Sequence, residues 1–219
     1  MIKSIYDLTV RRFLPRKIGA FNGVPVRRPK LFDATDVRRG WEATFIKAVQ
    51  QVVELGDHVV EVGGGLGVST VYAARAVGVE GSVTVYEPSK EGVKIIKETA
   101  ELSRMREIID IKNAAIGSVK DSFLGDLIDE SYNILPSEIP DCDVLLLDCE
   151  GAELEILHSM SVRPRNMVIE THPYLGSTNA AVIDALPAGY LIESQKELEE
   201  ESELEKAEGI RVLTVTKPG

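Results

Sequence analysis

The 219-residue sequence predicts an α/β domain: a doubly wound, mostly parallel sheet of seven strands with an antiparallel last strand and helices on both faces. Three observations predict it. From Asp57 onward, short β-branched runs alternate with longer segments of helical period. The first of those runs ends in a cluster of glycines that leads directly into a helix. The C-terminal end then changes in kind, with two strand-like runs and no long apolar helix between them to cover a parallel crossover.

Taken in order, residues 36 to 55 read as an amphipathic helix that buries Trp41, Phe45, Ala48, Val52 and Leu55. HVVEV (58 to 62) is the first strand of the sheet, and GVSTVYAARAVG is the helix after it. SVTVYE (82 to 87) is the second strand. In the next segment, SKEGVKIIKETAELS, the spacing of Val93, Ile96 and Ala100 predicts one buried helix face, and Ser89 is placed to accept from the first free backbone N–H groups. IIDIKNA is the third strand. Residues 117 to 140 are weakly periodic, with room for a short helix. DVLLLD (143 to 148) is the most continuously apolar run and so the central strand, with a helix beginning near Gly151. NMVIE (166 to 170) follows, then a helix in STNAAVIDAL that must stop near Pro187. GYLIES and GIRVLTVTK close the sheet as an antiparallel pair across the acidic connector QKELEEESELEKAE, read as a solvated loop or helix.

Composition narrows the function classes. The formal net charge of −10 and the pI near 4.9 argue against a protein whose whole surface binds nucleic acid. Residues 1 to 40 nevertheless hold ten Lys/Arg against three Asp/Glu, so a basic N-terminal arm (1–40) precedes an acidic domain (41–219). The arm reads as a solvated or oligomer-packing segment, or as a contact surface for an anionic substrate, with a homo-oligomer built through it as one consequence. No apolar run is long enough to span a bilayer, and the N-terminus lacks the apolar core of a secretory signal, so a cytoplasmic location is expected. Cys142 and Cys149 lie in or beside one strand, about 23 Å apart at roughly 3.3 Å per residue. That separation excludes a bridge between them, so reduced thiols are expected.

The chemistry is concentrated at strand ends. In VVEVGGGLGVST an apolar strand carries Glu61 near its end, and Gly63, Gly64, Gly65 and Gly67 follow before a helix. Glycines there let the backbone turn tightly and approach a ligand, and the helix N-terminus suits an anionic group. This is a Rossmann-like arrangement. A dinucleotide fingerprint, G-x-G-x-x-G, fails at its third glycine, where Val68 stands. The spacing E-x-G-x-G-x-G instead resembles the first motif of class I S-adenosylmethionine-dependent methyltransferases. Glu87, followed by Pro88, ends the second strand, where a carboxylate takes both ribose hydroxyls of an adenosine-containing ligand. After the third strand, Asn113, Ala114 and Ala115 leave room for a flat base, with the Asn113 amide near its polar rim.

Asp148 and Glu150 in LLLDCEGAELEIL sit on the loop after the central strand, where open α/β sheets gather their ligands. DCEGAELEIL together with VIETHP resembles the FkbM family of methyltransferases, whose pattern at these points is approximately D-x-E-G-A-E and I-E-x-H. The likeness runs from about Glu42 to the end of NMVIE and leaves out the basic arm and the acidic connector. It implies S-adenosylmethionine as cofactor. Glu61, Gly63, Gly65 and Gly67 would hold its methionine part, Glu87 the ribose, and Asn113 and Ala114 the adenine. It also implies that Asp148, Glu150, Glu170 and His172 line the methyl-acceptor side, Asp148 bordering the cofactor as well. Glu61 stands where the family more often has Asp, which keeps the carboxylate.

Methyl transfer to a hydroxyl of a small molecule or a glycan-type acceptor is the expected activity, with His172 as first-choice base, Asp148 as second and Glu150 beside them. Three further readings stay open: an RNA methyltransferase using Arg11, Arg12, Arg16, Lys17, Arg27, Arg28 and Lys30 of the arm, a non-catalytic S-adenosylmethionine-binding protein, and, as the outside case, a dehydrogenase that binds NAD. THPY (171 to 174) only faintly resembles the N-P-P-Y signature of amino-group methyltransferases. Asp148, Glu150 and His172 stand where they could approach a hard cation, but no residue spacing marks a metal site and no required metal is expected.

Overall fold

The computed structural model describes residues 13–33, 36–118, 133–198 and 209–218. Its main sheet has the strands β4 (His58–Val62), β5 (Ser82–Tyr86), β6 (Ile109–Lys112), β9 (Val144–Leu147), β10 (Asn166–Glu170), β11 (Leu191–Glu197) and β12 (Arg211–Thr216). They lie in the order β11-β12-β10-β9-β4-β5-β6. β4, β5, β6, β9 and β10 are mutually parallel, whereas β12 runs antiparallel to both β10 and β11. The antiparallel closing pair expected from the sequence is therefore present, and β9 is the central strand, with all four of its residues fully buried.

Alternation along the strands divides the core in two, because successive side chains point to opposite faces. Val59, Val83, Val85, Leu146 and Val168 face helices α1 (Ala43–Val52), α2 (Val68–Val77) and α3 (Lys90–Leu102). Val60, Val62, Leu145, Leu147, Met167 and Ile169 face α4 (Glu153–Ser159) and α5 (Asn179–Asp184) through Ile156, Leu157 and Val182. Each of these large side chains contributes about 1.5–3 kcal/mol on burial, so the sheet is held from both faces and its carboxyl edge is left as the place for a site. α3 begins as its sequence signals: Ser89 Oγ accepts from the Gly92 N–H at 3.0 Å, and Val93, Ile96 and Ala100 are buried.

The helix expected over 36 to 55 is shorter, Ala43–Val52, and Leu55 is 82% exposed. Two local causes set its limits. Val37–Arg38 is drawn out as strand β3, and Glu42 takes a left-handed conformation (φ 51°) that starts the helix only at Ala43. Of the weakly periodic segment, residues 119–132 lie outside the described residues, and Pro136–Glu138 forms a single 3-10 turn. Short strands β7 (Ala115–Ile116) and β8 (Asn133–Ile134) pair in parallel at its ends. Most of the acidic connector also lies outside the described residues, although β11 extends into it as far as Glu197.

The described part of the basic arm folds onto the domain. β1 (Gly19–Phe21) and β2 (Val24–Val26) form a hairpin through Asn22 and Gly23, both at positive φ, as a two-residue Asn-Gly turn requires. Phe21, Val24 and Val26 join the core on the α1–α3 side, and β3 pairs in parallel with β1. Arg16 ion-pairs with Glu98 at 2.8 Å and Glu91 at 3.4 Å on α3, and Lys17 with Asp36. Cys142 and Cys149 are both free thiols. Among the described residues no helix is long and apolar enough to cross a membrane.

Candidate active site

Glu61, the glycines of the 63–67 turn, Glu87, Asn113, Asp148, Glu150, Glu170 and His172 lie at, or just beyond, the carboxyl ends of parallel strands, so the sheet itself collects them along one edge. At the end of β4 the chain turns sharply through Gly63. A Cβ there would stand 1.7 Å from the Asp148 carbonyl oxygen, and φ is +92°, so the close approach of the glycine turn to the β9 loop admits no side chain. Gly65 is different. Its φ is +50° and nothing lies within 4 Å of where a Cβ would point, so its bareness leaves open space. The Gly65 N–H donates to Glu87 Oε2 at 3.0 Å, and Glu87 Oε1 accepts from Ser89 N–H at 2.8 Å. The acid at the end of β5 is thus fixed under the glycine turn.

Glu61 is 1% exposed, and neither carboxylate oxygen has a hydrogen-bond partner among the described residues. Burial raises its pKa to about 7, only partly opposed by the Thr70 and Ser69 side chains. With only the Thr70 and Ser69 hydroxyls beside it, ionising this buried carboxyl costs folding free energy, and a cationic group placed against it would offset that cost. The helix N-terminus next to it, in contrast, is already used. The Ser69 N–H donates to Glu42 Oε2 at 3.3 Å, while Glu42 Oε1 accepts from Trp41 Nε1 at 2.7 Å. Glu42, whose pKa is raised by burial, is the residue that sequence reasoning missed; the only available signal was its place beside Trp41 just before the helix.

Beyond β6, Asn113 Nδ2 donates to the carbonyls of both Glu87 and Pro88 at 3.0 Å. Its amide nitrogen therefore braces the Glu87–Pro88 turn, which leaves Oδ1 for a ligand. Ala114 and Ala115 are buried beside it.

On the other side of the turn, the sequence DCEGAE separates into two jobs. Glu150 (φ 50°) and Gly151 (φ 97°) turn the chain through left-handed conformations, and Glu153 closes the turn from the start of α4, accepting from Gly151 N–H at 3.2 Å and Cys149 N–H at 3.4 Å. Glu153 Oε1 also accepts from His172 Nδ1 at 2.8 Å, with both side chains buried. The other ring nitrogen, Nε2, faces Asp148 at 3.5 Å, Glu150 at 3.6 Å and Glu170 at 3.8 Å. Burial alone would lower the His172 pKa, but the Glu153 hydrogen bond and the charge of Asp148 raise it to about 9. Burial likewise acts to raise Glu153, yet His172 brings it down to about 2. Asp148 is pushed well above the usual carboxylate range by burial, with His172 opposing. Tyr174 Oη donates to Glu150 Oε2 at 2.7 Å.

No protein-family model and no curated protein matches this chain. Solved structures do. A SAM-dependent O-methyltransferase from Thermotoga maritima is similar at a TM-score of 0.55 and 16% identity over 82% of this chain and 66% of that one. This is the Rossmann-like methyltransferase fold. Two more structures share that methyltransferase fold. A ribosomal protein L11 methylase from Lactobacillus delbrueckii subsp. bulgaricus matches at TM-score 0.54 and 12% identity over 88% of this chain and 90% of that one. TrmN from Thermus thermophilus matches at 0.54 and 17%, over 79% of this chain, which spans about half (48%) of the TrmN chain. Glycine turn, Glu87 and Asp148 all lie on the carboxyl edge of this fold's parallel strands, where ligands of open α/β sheets are held.

Proposed function

We propose that this protein is an S-adenosylmethionine-dependent methyltransferase of FkbM type, acting on a hydroxyl of a small-molecule or glycan-type acceptor. The observation that carries the reading is the unsatisfied, buried Glu61 carboxylate beneath a bare glycine turn, one strand away from a fixed Glu87. Glu61 answers the cofactor's ammonium, Gly65 lets its methionine portion approach the backbone, and the Glu87 carboxylate takes the ribose hydroxyls. Asn113 Oδ1 and the small Ala114 and Ala115 flank the adenine. The sulfonium then points toward Asp148.

Methyl transfer is an in-line displacement in which the O–C bond forms as the C–S bond breaks, giving S-adenosylhomocysteine. Holding acceptor and methyl group in contact supplies about 7–11 kcal/mol of such a barrier in favourable cases. The acceptor hydroxyl must also lose its proton. His172 is the first choice on residue type alone, but its Nδ1 is tied to the buried Glu153 and its Nε2 is turned toward Asp148, Glu150 and Glu170, so it serves here as a positioning residue. The proton passes instead to Glu150, whose carboxylate lies beside Asp148 on the same loop and 3.6 Å from His172 Nε2. The RNA reading loses support from the arm's own contacts, since Arg16, Lys17 and Arg27 face Glu91, Glu98 and Asp36.

The test is methyl-labelled S-adenosylmethionine incubated with the protein and fractionated lysate. Label in a base-stable, hydroxyl-derived ether supports the reading. Label in RNA, or in no fraction at all, contradicts it.

A further inference from the structure

We propose that Asp148, Glu170 and His172 bind a divalent metal ion at the acceptor end of the crevice. One ligand atom from each of the three lies within 4.8 Å of the others. Two carboxylates and one imidazole make a mixed oxygen and nitrogen set, which suits Mn²⁺, Fe²⁺ or Zn²⁺ better than the all-oxygen shell that Ca²⁺ prefers.

An acidic cluster alone would carry nothing, and the histidine is what distinguishes this one. His172 is 2% exposed, and its Nδ1 donates to a fully buried carboxylate, Glu153. That bond fixes the ring orientation and leaves Nε2 aimed at Asp148, Glu150 and Glu170, with no hydrogen bond to it among the described residues; its nearest carboxylate oxygen is 3.5 Å away. A histidine held by a carboxylate on one nitrogen and open on the other is the arrangement that orients metal ligands. Glu153 is itself secured by two backbone N–H groups, so the support extends through three layers. Among the described residues no Lys or Arg ion-pairs with Asp148 or Glu150.

The distances fit. Ligand bonds of about 2.1 Å in an octahedral shell place neighbouring donors about 3 Å apart. The observed separations of 3.5 Å to Asp148 and 3.8 Å to Glu170 therefore need to close by less than an ångström, and the two carboxylates, within 4.8 Å of each other, by less than about 2 Å, within reach of carboxylate rotation. Three protein ligands leave open positions on the ion. Resting on the methyltransferase reading, those positions would take two neighbouring oxygens of the acceptor, as in a vicinal diol or a hydroxy acid, with Glu150 outside the shell to receive the proton. Ion binding itself does not rest on that reading.

The experiment is a Mn²⁺ titration of the metal-free full chain followed by electron paramagnetic resonance, with S-adenosylhomocysteine calorimetry on the same samples. One ion per chain, pulsed-resonance coupling to a histidine nitrogen, and affinity at least tenfold weaker in Glu170→Gln and His172→Gln are expected. Glu61→Gln should leave Mn²⁺ affinity unchanged. Absence of a stoichiometric ion up to millimolar Mn²⁺, or a bound ion without nitrogen coupling, overturns the proposal. Should either variant fail to fold, nitrogen coupling in the unmodified protein decides alone. Homocysteine-product binding without Mn²⁺ binding sinks the metal site only, and the converse sinks the cofactor reading only.

Discussion

The Gly65 amide donates to Glu87 Oε2 over 3.0 Å, which ties the glycine turn after β4 to the acid at the end of β5. Two motifs 22 residues apart in sequence are thereby joined directly. Because Glu87 is 6% exposed and also accepts from Ser89 N–H, its removal leaves two backbone donors unmet.

Glu87→Gln should therefore weaken S-adenosylhomocysteine at least about tenfold, as loss of one charge-assisted bond of about 1.5–3 kcal/mol implies. Calorimetry on the variant checks this. Affinity equal to that of the parent protein would separate Glu87 from the ribose.

Gly63 and Gly65 should respond in opposite ways to alanine. Gly63→Ala drives a Cβ onto the Asp148 carbonyl and should cost about 3 kcal/mol or more in stability. Gly65→Ala meets open space and should cost only about 1 kcal/mol, while weakening cofactor binding markedly. Thermal unfolding and calorimetry of the pair make the comparison, and equal losses of stability would contradict it.

The parts legible in the sequence were those governed by local rules. Strand and helix periodicity located the sheet, the Ser89 cap started α3 where it does, and the run VLLL marked the centre. Strand ends announced Glu61, Glu87 and Asp148, because a parallel sheet brings its carboxyl edge together whatever the loops do. Long-range relationships were not legible. Glu42 reaches Ser69 across 27 residues, and nothing in its neighbourhood signals that. Glu153 occupies the first turn of α4, where an acid needs no partner beyond the helix terminus, yet it anchors His172 at the neighbouring strand end. Residue type alone gives His172 a near-neutral pKa, and against its burial only the Glu153 hydrogen bond together with the charges of Asp148 and Glu150 raises it. Burial of the arm's Phe21, Val24 and Val26 was hidden by their strongly basic surroundings.

Glu61 gives the ligand-free protein a specific pH dependence. Its pKa is near 4.5 when unfolded and about 7 when folded, so between these values the folded state holds the extra proton. Stability should then fall as pH rises through that window, by about 3 kcal/mol in all, and stay low above it. Urea unfolding at pH 5 and pH 8 should show Glu61→Gln gaining on the parent protein by about that amount at the higher pH. A difference that is the same at both would refute the assignment.

Loss of the Glu153 carboxylate should be costly. Glu153→Ala leaves the buried His172 ring without its partner and frees two backbone donors, and removal of one member of a buried pair costs about 3–5 kcal/mol. Denaturant unfolding measures this, and a loss below about 1 kcal/mol would show that the pair is not what holds the β9 and β10 loops together.

The most direct measurement is calorimetric titration of S-adenosylhomocysteine into the protein and into Glu61→Gln at pH 8. One site per chain in the parent protein, weakened at least about tenfold in the variant, is the predicted result. A folded chain that takes up no S-adenosylhomocysteine, or that binds it equally well without the Glu61 charge, would contradict the account.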